Sequence, residues 1–282
     1  MDFLQLLQEK FEAILTRKVD LHLSSWEQKM IQAINSIPQI LPNPRKDFLH
    51  QNDPEFVDRL LVVFELLEDY FRYEVVGLEK IPENKASLVV MNHGIIPFHG
   101  FLLTKKLVEE VGIYPRGLGA DFIFVVPFLR EFFLKGGAVN ADPKNGIELL
   151  KEGNCVMLAP GGIYEGLVCE PGMSRIPWER RKGFVKLAID ANVPIIPTYC
   201  PAINDVYHNS KFLLKLRIKI MESIRFSLPL FYGYGLLPLR KKLVHYVGDP
   251  IVTTKLKGES TEAQINRIHK KVITSMKRMA EI

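Results

Sequence analysis

From about residue 76 onward, short apolar segments alternate with amphipathic ones, and this alternation constrains the fold more than any other feature. Residues 86–91 are apolar and include two valines, which is typical of a strand buried on both faces. Further strands are predicted at residues 117–124, 155–158 and 194–199, with helices near residues 100–111, 146–152 and 182–191. Because alternating strands and helices build a helix-covered sheet, the sequence predicts an α/β fold with a mixed, mostly parallel sheet flanked by helices.

The first 75 residues differ in pattern and are predicted to be a helical N-terminal extension. Apolar residues recur there at intervals of three and four, at Leu4, Leu7, Phe11 and Leu15. A second helix is predicted over residues 25–37, and a third from Asp53-Pro54 to about Phe71, since proline suits the first helical position. We therefore expect a helical region over residues 1–75 and an α/β domain over residues 76–282, which closes in a helix capped by residues 261–264.

Composition excludes several classes of protein. A formal charge of +5 is too small for a nucleic-acid-binding protein, and the chain carries no recognisable nucleic-acid motif. Three scattered cysteines, Cys155, Cys169 and Cys200, indicate a reducing compartment without a disulfide framework. The N-terminus has early acids, and no window reaches about 18 consecutive apolar residues. We therefore expect neither a signal peptide nor a transmembrane helix, and a location on the cytoplasmic side, soluble or peripheral to a membrane.

Two histidines, His93 and His99, follow the predicted strand at residues 86–91, in a segment that Gly94 and Pro97 interrupt. An ionisable turn at the end of a strand is where α/β proteins keep their chemistry. Imidazole is the usual general base because its pKa lies near the working pH, so His93 is the candidate base. Two alternatives are a packed histidine and a two-histidine metal site, but the sequence offers no further ligand set to complete a metal site.

A second turn, over residues 159–166, follows the predicted strand at residues 155–158. Pro160, Gly161 and Gly162 allow the backbone to approach a ligand closely, with N–H groups that can face an anion. Glu165 adds a carboxylate to the same turn. The alternative interpretation is a tight turn with a solvated glutamate.

Together the two turns resemble the glycerolipid acyltransferase superfamily, and more narrowly its diacylglycerol-acyltransferase-like branch. Those proteins carry a catalytic His and a downstream Asp in a His-Gly-x-x-Pro-x-Asp pattern, followed by a Pro-Gly-Gly-x-Arg-Glu block. Residues 93–99 and 160–165 occupy these two positions. Further similar segments are residues 120–124, 127–129, 136–139, 181–188, 193–197 and 246–251, so that the resemblance covers roughly residues 75–280.

This resemblance implies an O-acyltransferase, in which the His deprotonates an acceptor hydroxyl that then attacks an acyl thioester. The donor would be acyl-CoA or an acyl-carrier protein, the acceptor a glycerolipid or another lipid hydroxyl, and neither a cofactor nor a metal would be needed. The expected catalytic residues are His93, His99 and Glu165. The expected substrate-binding residues are Gly94, Asp121, Pro160, Gly161, Gly162 and Tyr164.

The first departure from the family pattern is His99, which stands where an Asp is expected. A carboxylate forms a charge-assisted hydrogen bond of about 1.5–3 kcal/mol with the catalytic His, against about 0.5–1.5 kcal/mol for a neutral partner. Three outcomes are open: Asp121 or Glu165 replaces the missing acid, the enzyme is slow, or catalysis is lost. The last outcome would leave a lipid-binding or regulatory protein.

The second departure is Tyr164, which stands where an Arg is expected. Arginine clamps phosphate through its bidentate fork, so its loss favours an uncharged acceptor such as a diacylglycerol. Three nearby arginines remain as possible substitutes: Arg175, Arg180 and Arg181.

Residues 211–225 contain five basic residues and one acid, arranged on a helical wheel as a basic amphipathic helix. The predicted apolar face consists of Phe212, Leu213, Leu216, Ile220 and Ile224. Such a helix fits an anionic membrane surface, although residues 214–220 also alternate like a strand. Residues 226–239 are aromatic and apolar around Pro and Gly, and form either a lipid entrance or a core-packed loop.

Overall fold

The structure is a computed structural model, and it describes residues 49–83, 85–224 and 230–282. The helices predicted around Leu4 to Leu15 and over residues 25–37 lie outside these ranges. The third predicted helix is confirmed and spans Pro54–Phe71. Asp53 caps it by accepting a hydrogen bond from the backbone N–H of Phe56 at 3.2 Å.

A sheet of seven strands forms the centre of the described part of the chain. Its strands are β1 (Glu74–Val76), β2 (Ser87–Met91), β3 (Arg116–Gly119), β4 (Val139–Asn140), β5 (Cys155–Leu158), β6 (Ile195–Tyr199) and β9 (Val244–Val247). Their order is β1-β9-β6-β2-β5-β3-β4, and the short strands β7 (His208–Asn209) and β8 (Phe231–Tyr232) pair separately. All neighbours in the large sheet are parallel except β6 and β9, which confirms the mixed, mostly parallel sheet.

Helices cover both faces of this sheet. They are α1 (Pro54–Phe71), α2 (Phe98–Lys106), α3 (Pro127–Lys135), α4 (Pro143–Lys151), α5 (Gly162–Val168), α6 (Gly183–Ala191), α7 (Leu214–Ile224) and α8 (Thr261–Ala280). Three of them, α1, α3 and α4, begin with proline, which is pre-shaped for the first helical position. A short π-helical turn, Leu107–Val111, continues α2, and 3₁₀ turns lie at Leu78–Lys80, Asp121–Phe124 and Pro201–Asp205.

Strand β2 lies in the middle of the sheet and is fully buried, as its apolar sequence predicts. Successive side chains of a strand point to opposite faces. Leu88 and Val90 pack in the cluster that includes α4, α6 and α8, whereas Val89 and Met91 pack in the cluster that includes α2. A third cluster joins α1 to α2 and to the turn after β6.

The segment 117–124 is only partly the predicted strand. Strand β3 ends at Gly119, and a 3₁₀ turn, Asp121–Phe124, follows it. The Phe124 ring folds back over Gly119, where an added Cβ would lie 3.2 Å from the ring. Phe124 therefore packs against the end of β3 and does not extend the strand.

Helix α7 forms where the sequence left helix and strand open. The predicted apolar face is not its most buried side: among the described side chains of the helix, Arg217 and Met221, one helical turn apart, are buried, whereas Leu216 and Ile220 are partly buried. Arg217 Nη1 donates to the Ser210 carbonyl at 2.7 Å, which satisfies part of the buried guanidinium. Phe212 and Leu213 precede the helix, and Phe212 is exposed. No helix among the described residues is long and apolar enough to cross a membrane.

The cap of the last helix, α8, differs from the predicted capping box. Ser260, not Thr261, is the N-cap, and its hydroxyl accepts from the Ala263 N–H at 3.1 Å. Gln264 does not reach back to the cap, since its amide donates to the Thr253 carbonyl at 2.7 Å and is buried there. The buried amide therefore anchors the helix to the preceding loop.

This arrangement predicts different effects for two neighbouring hydroxyls. Ser260→Ala removes the acceptor for an otherwise unsatisfied helix N–H and should lower the free energy of unfolding by about 0.5–2 kcal/mol. Thr261→Ala, the matched control, should change it by less than about 0.5 kcal/mol. Urea unfolding followed by circular dichroism measures both. Equal losses in the two variants would contradict the cap assignment.

Candidate active site

The candidate site lies at one edge of the sheet, where three neighbouring parallel strands end. His93 follows β2, the turn at residues 159–162 follows β5, and Asp121 follows β3. Since β2, β5 and β3 are adjacent and parallel, their carboxyl ends share this edge.

The His93 ring is held by its own backbone. Its Nδ1 lies 2.7 Å from the carbonyl oxygen of Gly94, so that Nδ1–H donates and Nε2 is the unprotonated nitrogen. Gly94 has a φ of +69°, and an added Cβ there would lie 2.9 Å from Cγ1 of Ile203. Glycine is therefore required at residue 94 for this carbonyl to turn back onto the ring. Burial lowers the pKa of His93, and the hydrogen bond to Gly94 opposes that shift in part.

Glu165 belongs to helix α5 and contacts the backbone of the His93 turn. Its carboxyl group is buried, and Oε2 accepts a hydrogen bond from Nε1 of Trp178 at 2.8 Å. Burial raises the pKa of Glu165 to about 7, while hydrogen bonds from Trp178 and from the backbone N–H of His93 lower it. Glu165 thus contacts the main chain of His93, and the fully buried Trp178 holds it in place.

The two glycines of the second turn have different roles: Gly161 leaves room for this carboxyl group, and Gly162 closes the turn. A Cβ at Gly161 would collide with the side chain of Glu165, and Gly162 has a φ of +49°. The Gly162 N–H donates to the Ala159 carbonyl at 3.0 Å. In this conformation Gly162 therefore closes the turn instead of offering its N–H to an anion, and Pro160 lies partly buried within the same turn.

Gly166 is a site residue that the sequence reasoning did not single out. A Cβ at this position would lie 2.8 Å from the Gly94 carbonyl oxygen and 3.5 Å from Nδ1 of His93. Helix α5 therefore packs directly against the hydrogen bond that orients the ring. The sequence signal was available, because a glycine inside a helix often marks a close backbone approach.

His99 does not orient His93. It is fully buried on α2, its Nε2–H donates to the Asn92 carbonyl at 2.8 Å, and its Nδ1 has no partner among the described residues. Burial lowers the pKa of His99 to about 3, so the ring is neutral. Neither nitrogen of His99 bonds to the His93 ring in this conformation, so His99 does not take the place of the Asp that the family pattern pairs with the catalytic His.

His99 instead belongs to a buried polar network below the site. Asn92 exchanges two hydrogen bonds of 2.9 Å with the backbone of Cys200, which joins the end of β2 to the end of β6. The ring of His245 lies 5.0 Å from that of His99, and it is bonded to the hydroxyls of Tyr73 and Thr198 at 2.8 and 3.0 Å. These residues are distant in sequence and carried no motif.

The remaining predicted residues lie at the periphery. Asp121 is exposed and accepts a hydrogen bond from Asn140, so its carboxylate is engaged at the β4 side of the edge. Tyr164 is partly buried, and the guanidinium carbon of Arg181 lies 5.8 Å from its ring centroid. Of the three arginines considered as substitutes, Arg181 is thus the one placed at Tyr164.

The described residues contain one group with the geometry of a metal site, formed by His50, Glu148 and Glu152. All three are exposed, and none of them belongs to the candidate active site.

Comparisons with known proteins show the family of the chain. A family model described as diacylglycerol acyltransferase matches residues 42–281, so the chain belongs to that family. The chain is 33% identical over 179 residues to the DGAT1/2-independent enzyme synthesizing storage lipids of Bos taurus, covering 64% of this chain and 52% of that one. It is 27% identical over 238 residues to diacylglycerol O-acyltransferase 2 of Dictyostelium discoideum, covering 77% and 72%.

The fold is shared with a solved acyltransferase. The 1-acyl-sn-glycerophosphate acyltransferase PlsC of Thermotoga maritima superposes with a TM-score of 0.50 at 14% identity, covering 98% of this chain and 97% of that one. The chain spans about half the length of the first curated relatives it matches.

The raised pKa of Glu165 predicts how stability depends on pH. Between about pH 4.5 and 7 the folded protein keeps the Glu165 proton that the unfolded chain has released, so the free energy of unfolding should fall as pH rises, by about 3 kcal/mol. Glu165→Gln keeps an acceptor for Trp178 but should lose this pH dependence. Exposed Glu65→Gln is the matched control and should keep it. Equal pH slopes in wild type and Glu165→Gln would contradict the assignment.

Proposed function

We propose that the protein transfers a fatty acyl group from a thioester, acyl-CoA or an acyl-carrier protein, to the hydroxyl of a glycerolipid or another lipid alcohol. The observation that carries the proposal is the hydrogen bond between His93 Nδ1–H and the Gly94 carbonyl. It selects the tautomer with a basic Nε2, which acyl transfer to a hydroxyl requires. Membership of the diacylglycerol acyltransferase family supports the same reaction.

The proposed reaction begins when Nε2 of His93 takes the proton of the acceptor hydroxyl. The hydroxyl oxygen attacks the thioester carbonyl carbon, and the carbonyl electrons move to oxygen. Collapse of this tetrahedral intermediate re-forms the carbonyl, breaks the carbon–sulfur bond and releases the thiolate, which takes the proton back from the imidazolium. Because burial lowers the pKa of His93, the ring is neutral and ready to accept the proton at physiological pH.

The Gly94 carbonyl takes over one function of the missing Asp, which is to fix the tautomer and the orientation of the ring. It lacks the full negative charge that stabilises an imidazolium. A neutral hydrogen bond is weaker than a charge-assisted one by about 1–2 kcal/mol, so we expect a reduction in rate of about tenfold, not a loss of catalysis. In a serine-protease triad the corresponding loss is about 10⁴-fold, because there the tautomer itself becomes wrong.

Glu165 acts as a positioning residue in this proposal. Its carboxyl group accepts hydrogen bonds from the side-chain Nε1–H of Trp178 and from the backbone N–H of His93, so it fixes the turn that carries the proposed base. The Gly161 backbone remains the proposed oxyanion or acceptor contact, whereas the Gly162 N–H is occupied by Ala159. Asp121, Pro160 and Tyr164 remain proposed acceptor contacts at the rim of the site.

The proposed acceptor is an uncharged lipid alcohol such as a diacylglycerol. Tyr164 replaces the charged side chain that a phosphate would bind, and relatives of this chain carry the name diacylglycerol O-acyltransferase. Arg181 brings a positive charge near Tyr164, but its guanidinium is placed over the aromatic ring. This position directs the arginine toward the tyrosine, which does not favour a bidentate phosphate clamp.

A second function, a lipid-binding or regulatory protein without catalysis, is favoured by one observation. Nδ1 of His93 is bonded to a neutral carbonyl, and the residue at the Asp position, His99, is bonded elsewhere. Both candidates use the same fold and the same lipid class. Turnover by the purified protein separates them.

The role of His93 is tested by measuring acyl transfer from a labelled acyl-CoA to a diacylglycerol. His93→Ala should lower kcat by about 10²–10⁴-fold, since it removes the general base. His50→Ala, an exposed histidine outside the site, should leave kcat unchanged. Lipid binding without turnover in the wild-type protein would establish the binding function and exclude the enzyme.

The same assay tests the role of residue 99. An ionised Asp at this buried position would face the Asn92 carbonyl without a proton to donate, so His99→Asp should lower stability and should not raise kcat. His99→Gln keeps a donor and should be tolerated better in thermal unfolding. A gain of activity in His99→Asp would show instead that the carboxylate reaches His93.

The acceptor prediction compares a diacylglycerol with a lysophosphatidate under the same conditions. We expect a higher kcat/KM for the diacylglycerol, with Arg181→Gln changing it by less than about threefold because the arginine is exposed. Arg175→Gln, another exposed arginine, is the matched control. Preference for lysophosphatidate that disappears in Arg181→Gln would show that Arg181 clamps a phosphate.

A further inference from the structure

An exposed apolar hairpin projects from the described part of the chain, over residues 231–237. Leu236 is 82% exposed and Leu237 68%, and the side chains of Tyr232 and Tyr234 are exposed as well. Backbone hydrogen bonds of 2.9 Å, from Gly233 to Gly235 and from Tyr234 to Leu237, hold these residues in a defined turn. Four large apolar side chains that are ordered but uncovered indicate a surface that meets a partner.

The hairpin is attached to the candidate active site through a short series of contacts. The Phe231 ring lies 4.6 Å from that of Tyr207, which lies 6.3 Å from Phe98 at the start of α2. The hydroxyl of Tyr207 also donates to the Leu236 carbonyl at 3.1 Å. Phe98 follows the turn that carries His93, so the hairpin is connected through Tyr207 to the start of the helix that comes directly after this turn.

Strand β7 ties the hairpin to the second half of the site. It pairs with β8, and its Asn209 amide donates to the carbonyls of Gly166, Leu167 and Cys169 at the end of α5. Helix α7 packs against the same helix α5 and presents the exposed side chains of Lys215 and Lys219. The hairpin, through β7, and the lysine-bearing helix α7 thus contact the same helix of the candidate site.

Three further basic residues follow the hairpin directly. Arg240, Lys241 and Lys242 are exposed. Tyrosine suits the boundary between water and lipid because its ring is apolar and its hydroxyl polar, leucine suits the acyl region, and lysine is attracted to acidic headgroups. The chemistry of this surface is therefore complementary to an anionic bilayer.

We propose that residues 232–237 insert into the headgroup region of an anionic bilayer, with Lys215 and Lys219 contacting acidic headgroups. The inference rests on the proposed function and deepens it, because a diacylglycerol resides in a bilayer and must reach His93 from there. Insertion of these residues would bring the edge of the sheet that carries His93 toward the bilayer that contains this substrate. A protein partner or a second copy of the chain is the competing occupant.

Another exposed apolar group lies on α1. Val62 and Leu66 are also exposed there, Leu66 at 68%. Their neighbours Glu65 and Asp69 are exposed acids, which an anionic surface repels. Exposure of leucine alone therefore does not define the proposed surface, whereas exposure together with basic flanks does.

The experiment measures flotation of the full chain with phosphatidylcholine vesicles that contain or lack phosphatidylserine. Leu236→Ser/Leu237→Ser and Lys215→Glu/Lys219→Glu should each weaken partitioning onto phosphatidylserine vesicles by about tenfold or more. Val62→Ser/Leu66→Ser is the matched control and should partition like the wild type. Unchanged thermal midpoints show that the variants are folded.

Different experimental results would overturn the membrane surface and the proposed function. Wild-type partitioning by both double variants overturns the membrane surface, even if acyl transfer proceeds. Loss of self-association by the leucine variant in light scattering, without a change in flotation, assigns the hairpin to a second copy and also overturns it. Absence of acyl transfer to a soluble short-chain diacylglycerol overturns the proposed function and leaves the flotation result standing.

Discussion

The buried carboxyl group of Glu165 connects the two turns on which the rest of the site depends. Burying an ionisable carboxyl is unfavourable, as its pKa of about 7 reflects, and hydrogen bonds from Trp178 and from the His93 backbone offset part of that cost. The glycine at residue 161 follows from the same contact, because a side chain there would collide with Glu165. The Pro-Gly-Gly-x-x-Glu block therefore works in this chain as a support that holds the end of β2, more than as a ligand cradle.

Orientation of the base is consequently a property of the main chain. Gly94 turns its carbonyl onto the ring, Gly166 leaves room for that carbonyl, and Asn92 ties the strand end to Cys200. None of these contacts involves the side chain at residue 99. His99, which stands where the family pattern has an Asp, therefore supports the end of β2 through its hydrogen bond to the Asn92 carbonyl. It does so as a neutral, buried imidazole with one N–H donor.

The sequence predicted the sheet and the placement of both turns at its edge, because a buried central strand and a glycine-proline turn leave local signals. It did not predict the partners of each side chain, since these depend on long-range packing. Trp178 reaches Glu165 from an irregular segment, and His245 reaches Tyr73 across the sheet. The burial of Arg217 was not predicted either, because a helical wheel shows one helix without the neighbour it packs against. The N-cap is Ser260 instead of Thr261 for a similar reason, since the Gln264 side chain donates a hydrogen bond to the Thr253 carbonyl in the preceding loop.

The burial of His93, the proposed base, also limits which acceptor suits it. Desolvation lowers the pKa of the ring and keeps it neutral, but the same low-polarity surroundings raise the free energy of any charge brought beside it. A phosphate would require a paired cation at the site, and the nearest candidate identified, Arg181, is exposed and directed at the Tyr164 ring. An uncharged diacylglycerol requires no paired cation, and its apolar chains favour an approach from a bilayer. The orientation of His93, the loss of arginine at residue 164 and the exposed apolar hairpin are therefore consistent with one substrate chemistry.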